Sequence, residues 1–157
     1  MQIRITKNIG KPHIIKYIRD NGTVTWMQAD DFFVRHDLSH YAFESIMQYK
    51  TAFNGMLHSG MDIRDFEDRE KRAMLNITAE AWYAENMANL FLIEIEQGEF
   101  ADFNTVQQQA FVSFNDQFPV IVLPEEKISA TRKHLRNLLQ QWNEIPIGQT
   151  LALTFDT

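Results

Sequence analysis

The sequence predicts an α+β fold: a small antiparallel sheet made of an N-terminal strand, a β-hairpin and a C-terminal strand, packed on a layer of helices. Three observations carry this expectation. Both ends of the chain alternate apolar and polar residues, an Asn21-Gly22 pair separates two further alternating segments, and the middle shows helix-period apolar stripes bounded by capping residues.

Ile3 and Ile5 alternate with Gln2, Arg4 and Thr6 in the first strand, which Ile9-Gly10-Lys11-Pro12 ends. The segments 13–20 and 23–27 flank Asn21-Gly22, whose residues tolerate the positive φ of a tight hairpin turn. A two-residue loop there pairs Asp20 with Thr23 and sets Tyr17 opposite Trp26 on the covered face. A first helix is expected from about Val34 to Gln48, capped by Asp30 or Asp31, with Leu38, Tyr41, Ala42 and Ile46 on its apolar stripe. Short helical pieces follow at 53–57 and 62–66. The mixed charges from Arg64 to Arg72 read as a solvated face or loop.

Thr78 caps a longer helix that runs to Gln97 before Gly98 and is apolar over much of its circumference, so it is expected at the centre. A further helix is predicted to begin at Asn104, with Gln107 in the capping-box position. Pro119 to Pro124 encloses an extended connector or short strand. Pro124-Glu125-Glu126 opens the last helix, with Ile128, Leu135, Leu138, Leu139 and Trp142 on its core face and Pro146 and Gly148 beyond its end. Leu151, Leu153 and Phe155 then share one side of the closing strand. Nothing resembling a linker or an internal repeat divides residues 1–157, which are expected to form a single domain.

Composition narrows the functional classes. Apolar residues make up 45% and aromatics 12% of the 157 residues, as in folded globular chains rather than disordered ones. A net charge of −6 without a basic block argues against nucleic acid, whose binding depends on clustered Lys and Arg. No apolar run is long enough for a bilayer, and the first residues lack the apolar core of a signal peptide. With no cysteine, thiolate chemistry and disulfides are excluded. A soluble cytoplasmic protein is the expectation, without nucleic-acid or membrane partners. Its physiological partner is not legible, and self-association through a sheet edge or the Phe-rich helices is left open.

The chemistry-bearing motif is His36-Asp37-Leu38-Ser39-His40. On a helix the two histidines lie about 6 Å apart along one face, the spacing with which two histidines hold one metal ion. Asp37 stands where helical metallopeptidases (His-Glu-x-x-His) carry the glutamate that activates water; one methylene shorter, it reaches less far. Glu44, one turn beyond His40, suits an orienting contact to that ring. A third ligand must come from elsewhere. If the helix from Thr78 packs against the first, Glu85 or Glu94 supplies it. The candidate set is therefore His36, His40 and Glu85 as ligands of a divalent, zinc-like metal, with Asp37 and Glu44 behind them. His13, His58 and His134 are isolated, and no phosphate loop or nucleophile elbow occurs among the six glycines.

The string Phe32-Phe33-Val34-x-His36-Asp37-Leu38-x-His40-Tyr41-x-x-Glu44 resembles that of a group of small bacterial proteins. The resemblance spans most of the chain. It implies a β-hairpin start, this helix and a terminal strand ending like Leu151-Ala152-Leu153-Thr154-Phe155, and implies no activity. The dipeptide His36-Asp37 is also similar to the HD-domain phosphohydrolases. Their metals need an earlier histidine, here only His13 on a hairpin strand, and their fold is all-helical.

Two functions compete. The absence of a complete catalytic set favours a non-enzymatic binding or interaction domain with structural histidines, in which the aromatic content serves a partner surface. The alternative is a metal-binding protein or small metal-dependent hydrolase that uses His36 and His40.

Overall fold

A computed structural model describes residues 1–68, 70–71 and 75–156. Four strands form one antiparallel sheet: β1 (Gln2–Thr6), β2 (His13–Ile18), β3 (Val24–Ala29) and β4 (Thr150–Thr154), in the order β3-β2-β1-β4. Strand alternation decides which face is covered. Ile3, Ile5, Ile15, Tyr17 and Leu151 point inward, and the register stacks Ile5 between Ile15 and Leu151. The architecture is the expected α+β arrangement, with strands from both ends of the chain in one sheet.

The hairpin differs from its sequence reading by one residue. Tyr17 lies opposite Thr25, and Trp26 opposite Lys16. The loop holds three residues, Asp20 to Gly22: the Gly22 amide donates to the Arg19 carbonyl, and the Arg19 amide donates to the Thr23 carbonyl. Asn21 Oδ1 accepts from the Thr23 amide at 3.0 Å, and Gly22 takes the left-handed conformation at φ 83°. This is a type I turn closed by a glycine bulge, which adds one residue to the loop. A one-residue shift reverses the facing of a strand. Trp26 is accordingly 52% exposed on the outer face, while Tyr17 is buried.

Among the described residues six helices form the other layer: α1 (Asp31–Met47), α2 (Phe53–His58), α3 (Arg64–Glu67), α4 (Ala79–Gln97), α5 (Phe103–Phe114) and α6 (Glu125–Glu144). Asp30 caps α1 by accepting from the Phe33 amide at 2.9 Å, and Gln48 closes it in the left-handed conformation. Thr78 caps α4 through the Ala81 amide. The cap of α5 is Asp102, which accepts from the Thr105 amide, rather than Asn104. Gln107 turns away from the expected capping box to donate to the Ile121 carbonyl, so residues 119–124 form a pinned connector without strand pairing. Of the charged run, Arg69 and Arg72 lie outside the described residues.

The hub is α1, not the longer helix expected at the centre. It touches α2, α4, α6, β2 and β3, and buries Val34, Leu38, Ala42 and Phe43 completely. Val34, Leu38 and Phe43 each contribute roughly 1.5–3 kcal/mol by leaving water. Ser39 donates to the Ala88 carbonyl at 2.9 Å, which draws α1 and α4 together. At its two ends α1 is tied to α6, through Trp142 Nε1 to Asp31 and Lys127 Nζ to the Ile46 carbonyl. Among the described residues, no helix is long and apolar enough to cross a membrane.

Candidate metal centre

The second and third turns of α1 carry His36 and His40 on the side that meets α4. Their rings stand edge to face, with centroids 4.7 Å apart. From α4, Glu85 reaches both: one carboxylate oxygen lies 3.1 Å from His40 Nε2, the other 3.6 Å from His36 Nε2. One donor atom from each of the three residues falls within 4.8 Å of the others. Two donors bonded to one ion at 2.0–2.1 Å with tetrahedral angles are about 3.4 Å apart. Bringing the widest pair from at most 4.8 Å to that spacing takes a side-chain movement of about 1.4 Å.

Behind the donor atoms stands a shell of carboxylates. The His40 Nδ1–H donates to Glu44 Oε1 at 3.0 Å, and Glu44 Oε2 accepts from the Asn54 amide at 2.8 Å. Glu44 is thus fully buried and held by α2. Asp37 Oδ1 lies 4.0 Å from His36 Nδ1, and its other oxygen accepts from the Tyr17 hydroxyl at 2.7 Å. Phe53 packs on the His40 ring at 5.2 Å and Phe32 stacks on His36 at 6.1 Å. Glu85 is the solvent-facing member: its side chain is 51% exposed, against 4% for His40. Asn89, one turn along α4, donates to Glu85 Oε1 at 2.8 Å and holds it in place.

Electrostatics follow from this burial. Desolvation opposes a charge on His40, but hydrogen bonds to Glu44 and Glu85 outweigh it and push its pKa up to about 10. The ring is an imidazolium that donates from both nitrogens. Burial alone would raise the Glu85 pKa, yet the two histidines hold it far below the usual carboxylate range. Burial raises Asp37 against the opposing Tyr17 hydrogen bond, and the same burial, with the charge of Asp37, drives the Tyr17 hydroxyl well above its ordinary value. Tyr17 therefore stays protonated and donates.

The structure brings together all five residues singled out from the sequence, His36, His40, Glu85, Asp37 and Glu44. Glu94 is elsewhere: Arg132 grips both its oxygens at 2.7 and 2.8 Å, and the Phe100 amide donates to it. His13 is engaged away from the cluster. Its Nδ1 accepts from the Asn8 amide, and its ring packs edge-on to Trp142. The sequence reading missed Tyr17 and the Asn54 amide. The inward parity of β2 pointed to Tyr17, but without the packing of α1 on the sheet nothing tied it to Asp37.

Compared with models of known protein families, with curated proteins and with solved structures, the chain matches none.

Proposed function

We propose that this protein binds one divalent, zinc-like metal ion through His36 Nε2, His40 Nε2 and the Glu85 carboxylate. The observation that carries the reading is the convergence of these three donors from two helices, with His40 Nδ1 hydrogen-bonded to the buried Glu44 and Asp37 4.0 Å from His36 Nδ1. Carboxylate–histidine–metal arrangements of this kind fix the tautomer that leaves Nε2 free for the ion. Three protein donors with one solvent-facing side are the ligand count of hydrolytic zinc sites, which keep a position for water. The reading therefore extends to a small metal-dependent hydrolase. On the same reading, small bacterial proteins with the Phe-Phe-Val-x-His-Asp-Leu-x-His-Tyr string would share its two histidine ligands.

Metal binding needs the Nε2 proton of His40 to leave, and the ion takes over its place beside Glu85. Titration of tag-free protein with cobalt(II), followed by visible absorption, tests the proposal. One equivalent should bind with the intense d–d bands of a four- or five-coordinate nitrogen and oxygen site, and His40→Ala should abolish them. A spectrum of free aqueous cobalt throughout would reject it.

One observation favours a second reading, an interaction domain with structural histidines. Both His40 nitrogens already have carboxylate partners, and the trio joins α1 to α4 without an ion. On that reading His36→Ala and His40→Ala lower thermal stability equally with and without added metal.

A further inference from the structure

We propose that residues 119–123, in the connector between α5 and α6, form an open strand edge that pairs with an extended partner peptide whose apolar core is flanked by lysine or arginine. This edge is independent of the metal centre described above.

One edge of this segment is held by side chains of α4 and α5. The Tyr83 hydroxyl donates to the Pro119 carbonyl at 2.7 Å. The Ile121 carbonyl accepts from Gln107 Nε2 at 2.6 Å and from Gln108 Nε2 at 3.0 Å. Asn104 binds Leu123 twice, accepting from its amide at 2.8 Å and donating to its carbonyl at 2.9 Å. Residues two apart in an extended chain turn their main-chain polar groups to the same side, so positions 119, 121 and 123 all face these helices. Pro119 and Pro124 keep the residues before them out of the helical region, and the N–H that Pro119 lacks belongs to the held edge.

The opposite edge belongs to Val120 and Val122, whose main-chain N–H and C=O groups make no hydrogen bond to any described residue. Their side chains are also open, Val120 at 42% and Val122 at 73% exposure, while Leu123 is buried and anchors the segment. Val112 lies one helical turn beyond Gln108 and, at 63% exposure, extends the apolar border. Two donors and two acceptors are thus held along one edge beside valine side chains. Because α4 and α5 already fix the segment, a pairing strand meets no ordering cost on this side of the interface.

Charge distinguishes between partners. Residues 73–126 contain nine acidic residues and no lysine, arginine or histidine. Asp116 precedes the segment and Glu125 and Glu126 follow it, all three exposed. A strand with basic flanks therefore meets opposite charge at both ends. A second copy of this chain does not. Antiparallel pairing of two copies about Ile121 forms the same main-chain bonds but sets Asp116 of one against Glu126 of the other, acid against acid.

Fluorescence anisotropy of a labelled Lys-Lys-Val-Thr-Val-Thr-Val-Lys-Lys peptide, titrated with the full chain at low salt, tests this. Saturable one-to-one binding is expected. The same core flanked by glutamates, and the lysine-flanked peptide N-methylated throughout its core, should each bind at least about 10-fold more weakly. Val122→Pro, which removes an outward N–H at an exposed position, should lower affinity by a similar factor with unchanged circular dichroism. The N-methylated peptide decides the matter if that variant fails to fold. Absence of saturable binding by the lysine-flanked peptide would overturn the inference. Undiminished binding of either control peptide, or undiminished binding by the Val122→Pro protein, would do the same. So would a concentration-dependent dimer in sedimentation that Val122→Pro abolishes, which would give the edge to a second copy.

Discussion

Replacing Glu44 with Gln is the perturbation for which the structure gives the sharpest consequence. The wild-type carboxylate receives two donors in a fully buried site, His40 Nδ1–H at 3.0 Å and the Asn54 amide at 2.8 Å. A glutamine fits the space but offers one oxygen and one NH2. If its oxygen keeps the Asn54 amide, its NH2 faces His40 Nδ1, which must become an acceptor. The ring proton then resides on Nε2, the atom that faces Glu85 and, on the proposal, the metal. Loss of an orienting partner of this kind typically weakens metal binding about 10–100-fold. A hydrogen bond to a charged group is worth about 1.5–3 kcal/mol, so the metal-free variant should lose about 2 kcal/mol, or roughly 4–8 °C in Tm for a chain of this size. Competition against a chelator of known zinc affinity reads the first effect, and a thermal melt the second. Glu44→Gln with zinc affinity within about 2-fold of wild type would refute the reasoning, whatever its Tm.

Four further outcomes follow from the structure. The metal-free protein should lose stability as the pH rises from about 6.5 toward 10: the His40 contribution is complete below 6.5, where the unfolded chain's histidine is also protonated, and vanishes as the folded ring titrates. A shift of this size corresponds to an upper bound of about 4–5 kcal/mol. Because Glu85 is half-exposed, about 2 kcal/mol is expected, read as the difference between wild type and His40→Gln in urea melts across that range. Acid should weaken the same contact from the other side, since the depressed Glu85 stabilises the fold above its ordinary pKa and that contribution declines as the pH falls below it. Glu94→Gln, which breaks the buried pair with Arg132, should cost about 3 kcal/mol while leaving metal affinity unchanged, as checked by the same melt and chelator competition. Gly22→Ala should destabilise by about 1 kcal/mol in equilibrium unfolding, because φ 83° strains any residue with a Cβ.

Local patterns were legible in the sequence where one residue type has one strong physical consequence. The alternation of Ile3 and Ile5, the caps at Asp30 and Thr78 and the four-residue spacing of His36 and His40 all translated directly into structure. The hairpin was legible as a hairpin but not in register. Asn-Gly serves both a two-residue turn and the three-residue loop seen here, and the Asn21 side chain that bonds Thr23 favours the latter. Asp102 and Asn104 are both good caps two residues apart, and Asn104 is drawn off to the Leu123 backbone. The third donor was the least legible. Glu85 and Glu94 share a helix, and nine residues at 100° each place them on opposite sides of it. Which side meets α1 depends on Ala84, Met87, Ala88 and Phe91 packing into the core, and Arg132 on α6 takes the other glutamate. That is a property of three helices together, which no spacing within one of them encodes.

Elemental analysis of the protein purified without a histidine tag or chelator, beside the double variant His36→Ala, His40→Ala, tests the central claim most directly. The account predicts close to one divalent metal per chain in the wild type and none in a variant whose circular dichroism remains that of a folded α+β protein. A wild type that is metal-free as isolated, and stays so after incubation with zinc, nickel or manganese, would contradict it.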